Sequence, residues 1–529
     1  MKVSIKEIIQ RTWIYVLLLF AMIAVIALKK DYHMDEIYSY GLANNVGHTS
    51  IHPDYAPYTY ENPADVYLDY MIIEDGEGFD IKNCWYNQER ESSPPFYYFA
   101  VHIASAFVAL IAGERFSRWT AGSVNLVFVL LTLYVFRKLL KQFGIKDKEL
   151  TIGSVFFALS PAILSIVSFF RMYAMADFAA ILITYLVIHY RKKENWHFYA
   201  AMILASVFAV LTQYYLIFYL FFISFIYGIS LLIEKEWKKA GKYVLSMGVA
   251  GGLTIAVFPA IIEQLFGTGR GSEGIENLQR GFAEHWEYLK QYCGILNGQL
   301  FGGLFWIVLS LVIVGFIYGV IRHKKDMIAA DRVWDAVIGI LPIVFYVVIV
   351  SKVAPYQTDR YVMAMYAVSI AFLFIAIKYI LDICLADRKI LRTCSLCAAS
   401  IVLLVTVYKN FGWPYLYLNA DKRIEKIASY EGVDGLCVLD VGWKISGNFN
   451  EMINIETMTF FKDSIGDLAF MEELKDKEEY ILYAVTVDPE EVIEDIFEIC
   501  PQINTYDYIG ESDYAEIYYL YHIDQVKGK

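Results

Sequence analysis

Apolar runs long enough to cross a bilayer recur through the first three quarters of this 529-residue chain, and they leave few folds open. A spanning helix needs roughly 20 predominantly apolar residues. Runs of about that size lie near 12–28, 119–136, 151–170, 178–190, 198–213, 216–233, 243–262, 301–321, 333–351, 361–383 and 394–408. The composition agrees, with 57% hydrophobic and 16% aromatic residues, far above a water-soluble domain. The first run lacks a small-residue cleavage site and is followed by many others, so it reads as a retained helix, not a signal peptide.

A further run at 96–112 decides the topology. If it spanned, the basic loop 137–148 and every later basic loop would fall on the wrong side. As a juxtamembrane helix, it leaves 137–148, 191–193, 235–242, 322–325 and 388–392 all on the inside, as the positive-inside rule requires. Its aromatic start, Pro94-Pro95-Phe96-Tyr97-Tyr98, and His102 suit an interfacial position. The expected outside face then carries loop 29–118, the turn 171–177, loop 263–300, loop 352–360 and the tail. The N-terminus is cytoplasmic.

The net charge of −12 is unevenly placed. Residues 409–529 hold 10 Lys+Arg against 25 Asp+Glu, whereas the rest hold 35 against 32. An acidic domain outside the membrane thus follows a slightly basic membrane body, and neither part has the basic stripe of a nucleic-acid binder.

Charged residues gather on the outside face. Asp35 and Glu36 follow the first run in KKDYHMDEIYSY. Ser92-Ser93-Pro94-Pro95 leads towards Arg115 and Arg118. Arg171 and Asp177 occupy one short turn, and Asp359-Arg360-Tyr361 heads a later run. Acids at a membrane edge are costly unless solvated or functional. A carboxylate can serve as general base on a hydroxyl, and the arginine fork suits phosphate. The bland readings are a solvated loop for Asp35-Glu36, arginines snorkelling to headgroups, and packing roles for His33, His102 and Tyr173. Asp177 is harder to dismiss, because a short turn between two spans has little need of an acid.

This order of features resembles the GT-C fold glycosyltransferases: first helix, outside Asp-Glu, Pro-Pro-aromatic segment, Arg opening a span, then a Tyr-x-x-x-Asp turn. The resemblance is nearest to the family uniting protein O-mannosyltransferases with the bacterial lipid A aminoarabinose transferases. It covers residues 10–235 well and 340–385 weakly. The apolar runs make 1–408 an all-α polytopic membrane domain with about 11 transmembrane helices plus juxtamembrane helices, and the tail's own pattern makes 409–529 a small extracytoplasmic α/β domain; the resemblance implies that the membrane domain is of GT-C type. It implies a polyprenyl-phosphate-linked sugar as donor and an extracytoplasmic acceptor, which is a cell-wall polymer, lipid or protein. Asp35, Glu36 and Asp177 fall on the family's acids, with Asp35 as the general base and inversion at the anomeric carbon. Many relatives have His or Lys where this chain has Ser92-Ser93, and the aminoarabinose transferases have a basic residue at the place of Tyr38. By position, Arg118, Arg171 and Arg360 then bind the lipid phosphate. No cofactor is certain: a divalent cation on Asp35, Glu36 and Asp177 is compatible with the residues, while the O-mannosyltransferase-like members imply none.

Loop 29–118 is acidic and Tyr-rich, with turns at His52-Pro53, Ala56-Pro57 and Asn62-Pro63; it suits either an acceptor pocket or interfacial packing. Loop 263–300 starts with flexible Gly and continues with a helical pattern, as a mobile cover over an active site would. In the tail, GLCVLDVGWKI, EEYILYAVTV and YAEIYYLYHI read as strands and PEEVIEDIFEIC as a helix. The tail has no nucleotide fingerprint, and either positions an acceptor or caps the structure. Of seven cysteines, Cys394 and Cys397 form an isolated CxxC, and Cys437 and Cys500 are a candidate disulfide. Two other classes remain. A lipid-linked sugar transporter or flippase would show charges inside its spans and repeat symmetry. A non-catalytic scaffold would tolerate replacement of Asp35.

Overall fold

The computed structural model describes residues 5–524, apart from 48–49, 53–55, 75–77, 114, 268, 323–329, 386–387 and 431. Most of the basic loop 322–325 and Pro53 of the first turn therefore lie outside the described residues. The chain divides into two compact units. One holds residues 1–25, 91–97 and 122–413; the other holds 26–90, 98–121 and 414–529.

The first unit is helical. Among the described residues, seven helices are long and apolar enough to cross a membrane, or nine if two bent pairs each count as one span. The expected spans 12–28 and 198–213 coincide with shorter apolar helices, Thr12–Leu28 and Trp196–Thr212. The chain is a multi-pass membrane protein. Of those seven, helix Tyr173–Tyr190 is the most enclosed, with Ala174, Ala176, Ala179 and Ala180 all fully buried. Small side chains let neighbouring backbones approach closely, which replaces the hydrophobic drive that lipid removes. Gly339 does the same on Ala330–Val353, where a Cβ would sit 1.7 Å from the Phe372 ring.

Two helix pairs are bent. Asp147–Ala158 and Pro161–Ser168 meet at 45°, where Pro161 cannot continue the hydrogen-bond ladder. Phe282–Phe301 and the helix starting at Phe305 meet at 77°, through Gly302 at φ +59°. Any side chain there would be strained, and its Cβ would lie 2.6 Å from the Thr406 backbone. The segment 263–300 is thus largely helical, including the 20-residue Phe282–Phe301. It is tied to the 352–354 segment by Arg280, whose Nη1 donates to the carbonyls of Lys352 at 3.1 Å and Ala354 at 2.9 Å.

Run 96–112 forms a helix of 17 residues, Phe96–Ala112. At about 1.5 Å per residue its length is roughly 25 Å, short of the ~30 Å hydrocarbon core.

The second unit is built on a six-stranded mixed sheet: β1 (Tyr58–Glu61), β2 (Gly435–Leu439), β3 (Thr457–Lys462), β4 (Glu479–Val485), β5 (Thr505–Glu511) and β6 (Ala515–Tyr521), in the order β1-β3-β2-β4-β6-β5. Strand β2 runs parallel to β3 and β4; the remaining pairs are antiparallel. Central β2 is buried at every position, as a strand covered on both faces must be. On one face Leu436, Val438 and Leu482 pack with Val492, Ile493 and Ile496 of helix Pro489–Ile499.

The expected strands and helix of the tail are present, except that the first strand ends at Leu439 and Gly442–Asn448 turns into a 3-10 helix; β3 and β5 join them. The sequence places a boundary at 408/409, but the tail shares its unit with the first loop: β1 pairs with β3, Tyr58 opposite Phe460. Tyr58 stacks on Phe460 at 4.7 Å, and His52 lies against the same ring at 5.3 Å. Cys437 and Cys500 are both free and buried. Cys500 packs in the cluster with Leu436 and Val438, whereas Cys437 alternates to the opposite face of β2, so the sheet separates the two sulfurs.

Candidate active site

Within the second unit, the segment after the first helix folds into a tight knot of charge. Helix Met34–Asn44 begins with a capping box in which His33 takes the place usually held by Ser or Thr. His33 Nδ1 accepts from the Asp35 backbone N–H at 3.1 Å, and Glu36 Oε2 accepts from the His33 N–H at 2.7 Å. Glu36 also forms an ion pair with Lys29, Nζ–Oε2 2.9 Å, and both side chains are wholly buried. Lys29 Nζ donates in addition to the Tyr415 carbonyl at 2.6 Å. Burial pulls the Lys29 ammonium down from its ordinary range, and the Glu36 carboxylate pulls it back up.

Adjacent residues on a helix point about 100° apart, which gives the two acids different surroundings. Glu36 is enclosed with Lys29, while Asp35 keeps a quarter of its side chain exposed, with Oδ2 3.8 Å from His33 Nδ1. Arg118 joins the group by donating through Nη1 to the Lys29 carbonyl. Asp35, Glu36 and Arg118, far apart in sequence, are thus brought together in one unit.

A second buried ion cluster lies alongside. Arg423 donates to Asp31 Oδ2 at 2.7 Å, to Glu451 Oε1 and to the Glu511 carbonyl. Asp31 also accepts from the Tyr32 N–H at 2.9 Å and from Asn450 Nδ2 at 3.1 Å. One cation thus serves two enclosed carboxylates. Burial raises both acids above the ordinary carboxylate range; the charge of Asp31 adds to the rise at Glu451, while Arg423 opposes it at both.

The other expected residues belong to the first unit. Asp177 is buried, and its Oδ1 accepts from the Ala367 N–H at 2.8 Å, at the start of helix Tyr366–Cys384. A carboxylate there is favoured by the helix dipole. Arg171 lies in the turn before Tyr173–Tyr190 and acts on Glu91, whose carboxyl burial raises and the Arg171 charge lowers. Arg360 stands over the rings of Tyr361 and Tyr356, at 5.2 and 5.7 Å, and Arg270 stands over Tyr356 at 5.3 Å. Asp359 accepts from Gln299 Nε2 at 2.7 Å.

A divalent cation beside Glu36 would compete with Lys29. Lys29 already fills the cation position beside Glu36, and among the described residues no group of three or more His, Cys, Asp or Glu is arranged to hold a metal. Lys29, Arg423 and Glu91 were not among the residues expected from sequence. For Lys29, an ammonium seven residues before Glu36 is the signal the sequence carries.

Replacing Lys29 with Met strands Glu36 in an enclosed site, with an expected loss of about 3–5 kcal/mol. The double variant Lys29→Met/Glu36→Gln should recover more than half of that, since Gln still accepts from the His33 N–H. Chemical unfolding of the purified chain measures both; a double variant no better than the single one would remove the ion pair as the cause.

No family model matches this chain, and no curated protein does. Solved structures do resemble it. ArnT from Cupriavidus metallidurans, in the apo state, has 10% identity and a TM-score of 0.52, covering 96% of this chain and 98% of that one. An Archaeoglobus fulgidus oligosaccharyltransferase, tethered to an acceptor peptide containing the NVT sequon, has 10% identity and a TM-score of 0.41, covering 94% of this chain and 69% of its own. The fold is that of the GT-C membrane glycosyltransferases, with a small C-terminal sheet.

Proposed function

We propose that the chain transfers a sugar from a polyprenyl-phosphate donor to an extracytoplasmic acceptor, with Asp35 as general base. The observation that carries this reading is the division of labour between two neighbouring acids on a GT-C fold. Glu36 is enclosed with Lys29 and holds the start of its helix, while Asp35 is the partly exposed carboxylate beside it. An acid committed to a buried ammonium is a poor proton acceptor, and one at the surface of the same turn can meet a substrate hydroxyl.

In this reaction the acceptor oxygen attacks the anomeric carbon as its proton passes to Asp35. The bond from that carbon to the phosphate oxygen breaks, and the polyprenyl phosphate leaves with the bonding pair. Arg118, Arg171 and Arg360 stabilise the charge that develops on the phosphate, and Asp177 supports the site. A single displacement inverts the anomeric centre and needs one base, unlike the paired carboxylates of glycoside hydrolysis. The N-terminus is cytoplasmic and the sheet-bearing unit extracytoplasmic in this scheme, facing membrane lipids and the acceptor.

The test is label transfer from a panel of radiolabelled polyprenyl-phosphate sugars in membranes containing the chain. Transfer from one donor above membranes lacking the chain is the expected result. Absence of transfer from every donor, with the chain present and folded, would overturn the reading.

A further inference from the structure

A cleft of about 230 Å³ opens within the sheet-bearing unit. Its walls include Tyr32, Tyr417, Tyr514, Asn448, Glu511 and Asp513. That volume is below the ~300–1,000 Å³ of a drug-sized pocket and suits a small polar ring.

Three observations point to what it takes. The cations on its walls are already committed: Arg423 serves Asp31 and Glu451, and Lys444 serves Asp440 and donates to Thr486 Oγ1 at 2.9 Å. Glu511 and Asp513 therefore leave the cleft a surplus of carboxylate, which disfavours an anion. Next, Asn448 is 1% exposed, its Oδ1 accepts from Ser512 Oγ at 3.3 Å, and its Nδ2 has no partner among the described residues. Turning the amide over only moves the unpaired atom, so this wall residue carries an unsatisfied polar group. Finally, tyrosine rings line the same space, with Tyr417 donating to Asp513 Oδ2 at 2.8 Å and Tyr514 edge-on to Trp443 at 5.9 Å.

Carboxylates that accept from hydroxyls, an amide that donates, and aromatic faces form a carbohydrate-binding set. The cleft also adjoins Asp35. His33 bridges them, with Nε2 3.9 Å from Asp513 Oδ2 on the cleft wall and Nδ1 3.8 Å from Asp35 Oδ2. We propose that this cleft binds an uncharged saccharide through its hydroxyls. Only the identification of that saccharide as the acceptor rests on the transferase reading above.

The test is calorimetric titration of the full chain, purified in detergent, with maltose, N,N′-diacetylchitobiose and digalacturonate. At least one uncharged disaccharide should bind with a Kd in the millimolar range or tighter, and digalacturonate should not. Asn448→Leu and Asp513→Asn should each weaken binding by up to roughly tenfold, the size expected from losing one hydrogen bond. No binding of either uncharged sugar, preference for digalacturonate, or indifference to Asp513→Asn in a folded chain would each overturn the assignment. Saccharide binding without transfer from any donor would sink the transferase reading and leave the cleft standing; transfer without saccharide binding would do the reverse.

Discussion

Asp35→Asn is expected to lower sugar transfer by on the order of 10²–10⁴-fold, the usual contribution of a general base. The amide keeps the size of the side chain, and the backbone N–H of residue 35 still donates to His33 Nδ1, so the helix start should survive. The loss should fall on the chemical step, with kcat reduced more than KM. Transfer measured in membranes at matched amounts of tagged protein decides it. Equal rates for wild type and variant would remove Asp35 from the role. Loss of activity together with loss of folded protein would instead mark it as structural, and a thermal midpoint equal to wild type is therefore part of the expected result.

The largest effect on stability is expected at Arg423. Replacing it with Met leaves Asp31, 2% exposed, and Glu451, fully buried, without their shared cation. Removing one partner from a buried ion pair typically costs about 3–5 kcal/mol, and here two carboxylates are stranded by one change. The pH dependence carries the sign. Burial already places both carboxyls above the value they have in the unfolded chain, so the folded state binds more protons in that window. Stability contributed by these groups is therefore present below the ordinary carboxylate range near pH ~4 and is lost as pH rises through their folded values. Arg423 opposes that loss, and Arg423→Met should steepen it. Thermal unfolding of the purified variant between acid and mildly alkaline pH should show its deficit smallest at low pH and growing upward. A deficit independent of pH would mean that lost packing, not stranded charge, is the cause.

The helical unit was legible because lipid imposes one simple rule, a run of apolar residues per crossing, and the runs from 119 onward map closely onto helices. Strands β2, β4 and β6 announce themselves as buried or alternating apolar stretches. Strand β1 does not: Tyr-Thr-Tyr-Glu is four residues long, and what makes it a strand is β3, whose Thr459 Oγ1 meets Thr59 Oγ1 at 3.0 Å. The candidate site divides the same way. Asp35 and Glu36 are visible as neighbours, but which of them is enclosed depends on Lys29, and the enclosure of Lys29 depends on the Tyr415 carbonyl, 386 positions away. Arg423 reaches Asp31 across 392 positions. Pairings of that range follow from the closed fold and leave no local pattern.

The β1–β3 ladder has a consequence for how the molecule is made. Residues 58–61 emerge from the ribosome about four hundred residues before 457–460, and nearly all the apolar runs are synthesised in the interval. Until then the early loop has no edge to join, and the sheet lacks its outermost strand. Pairing over such a separation is slow, because the chain must lose much freedom before any contact rewards it. The ladder can close only when both segments lie on the same side of the membrane. A single missed or inverted insertion would leave them apart, so the sheet can be completed only after correct threading of everything translated between β1 and β3.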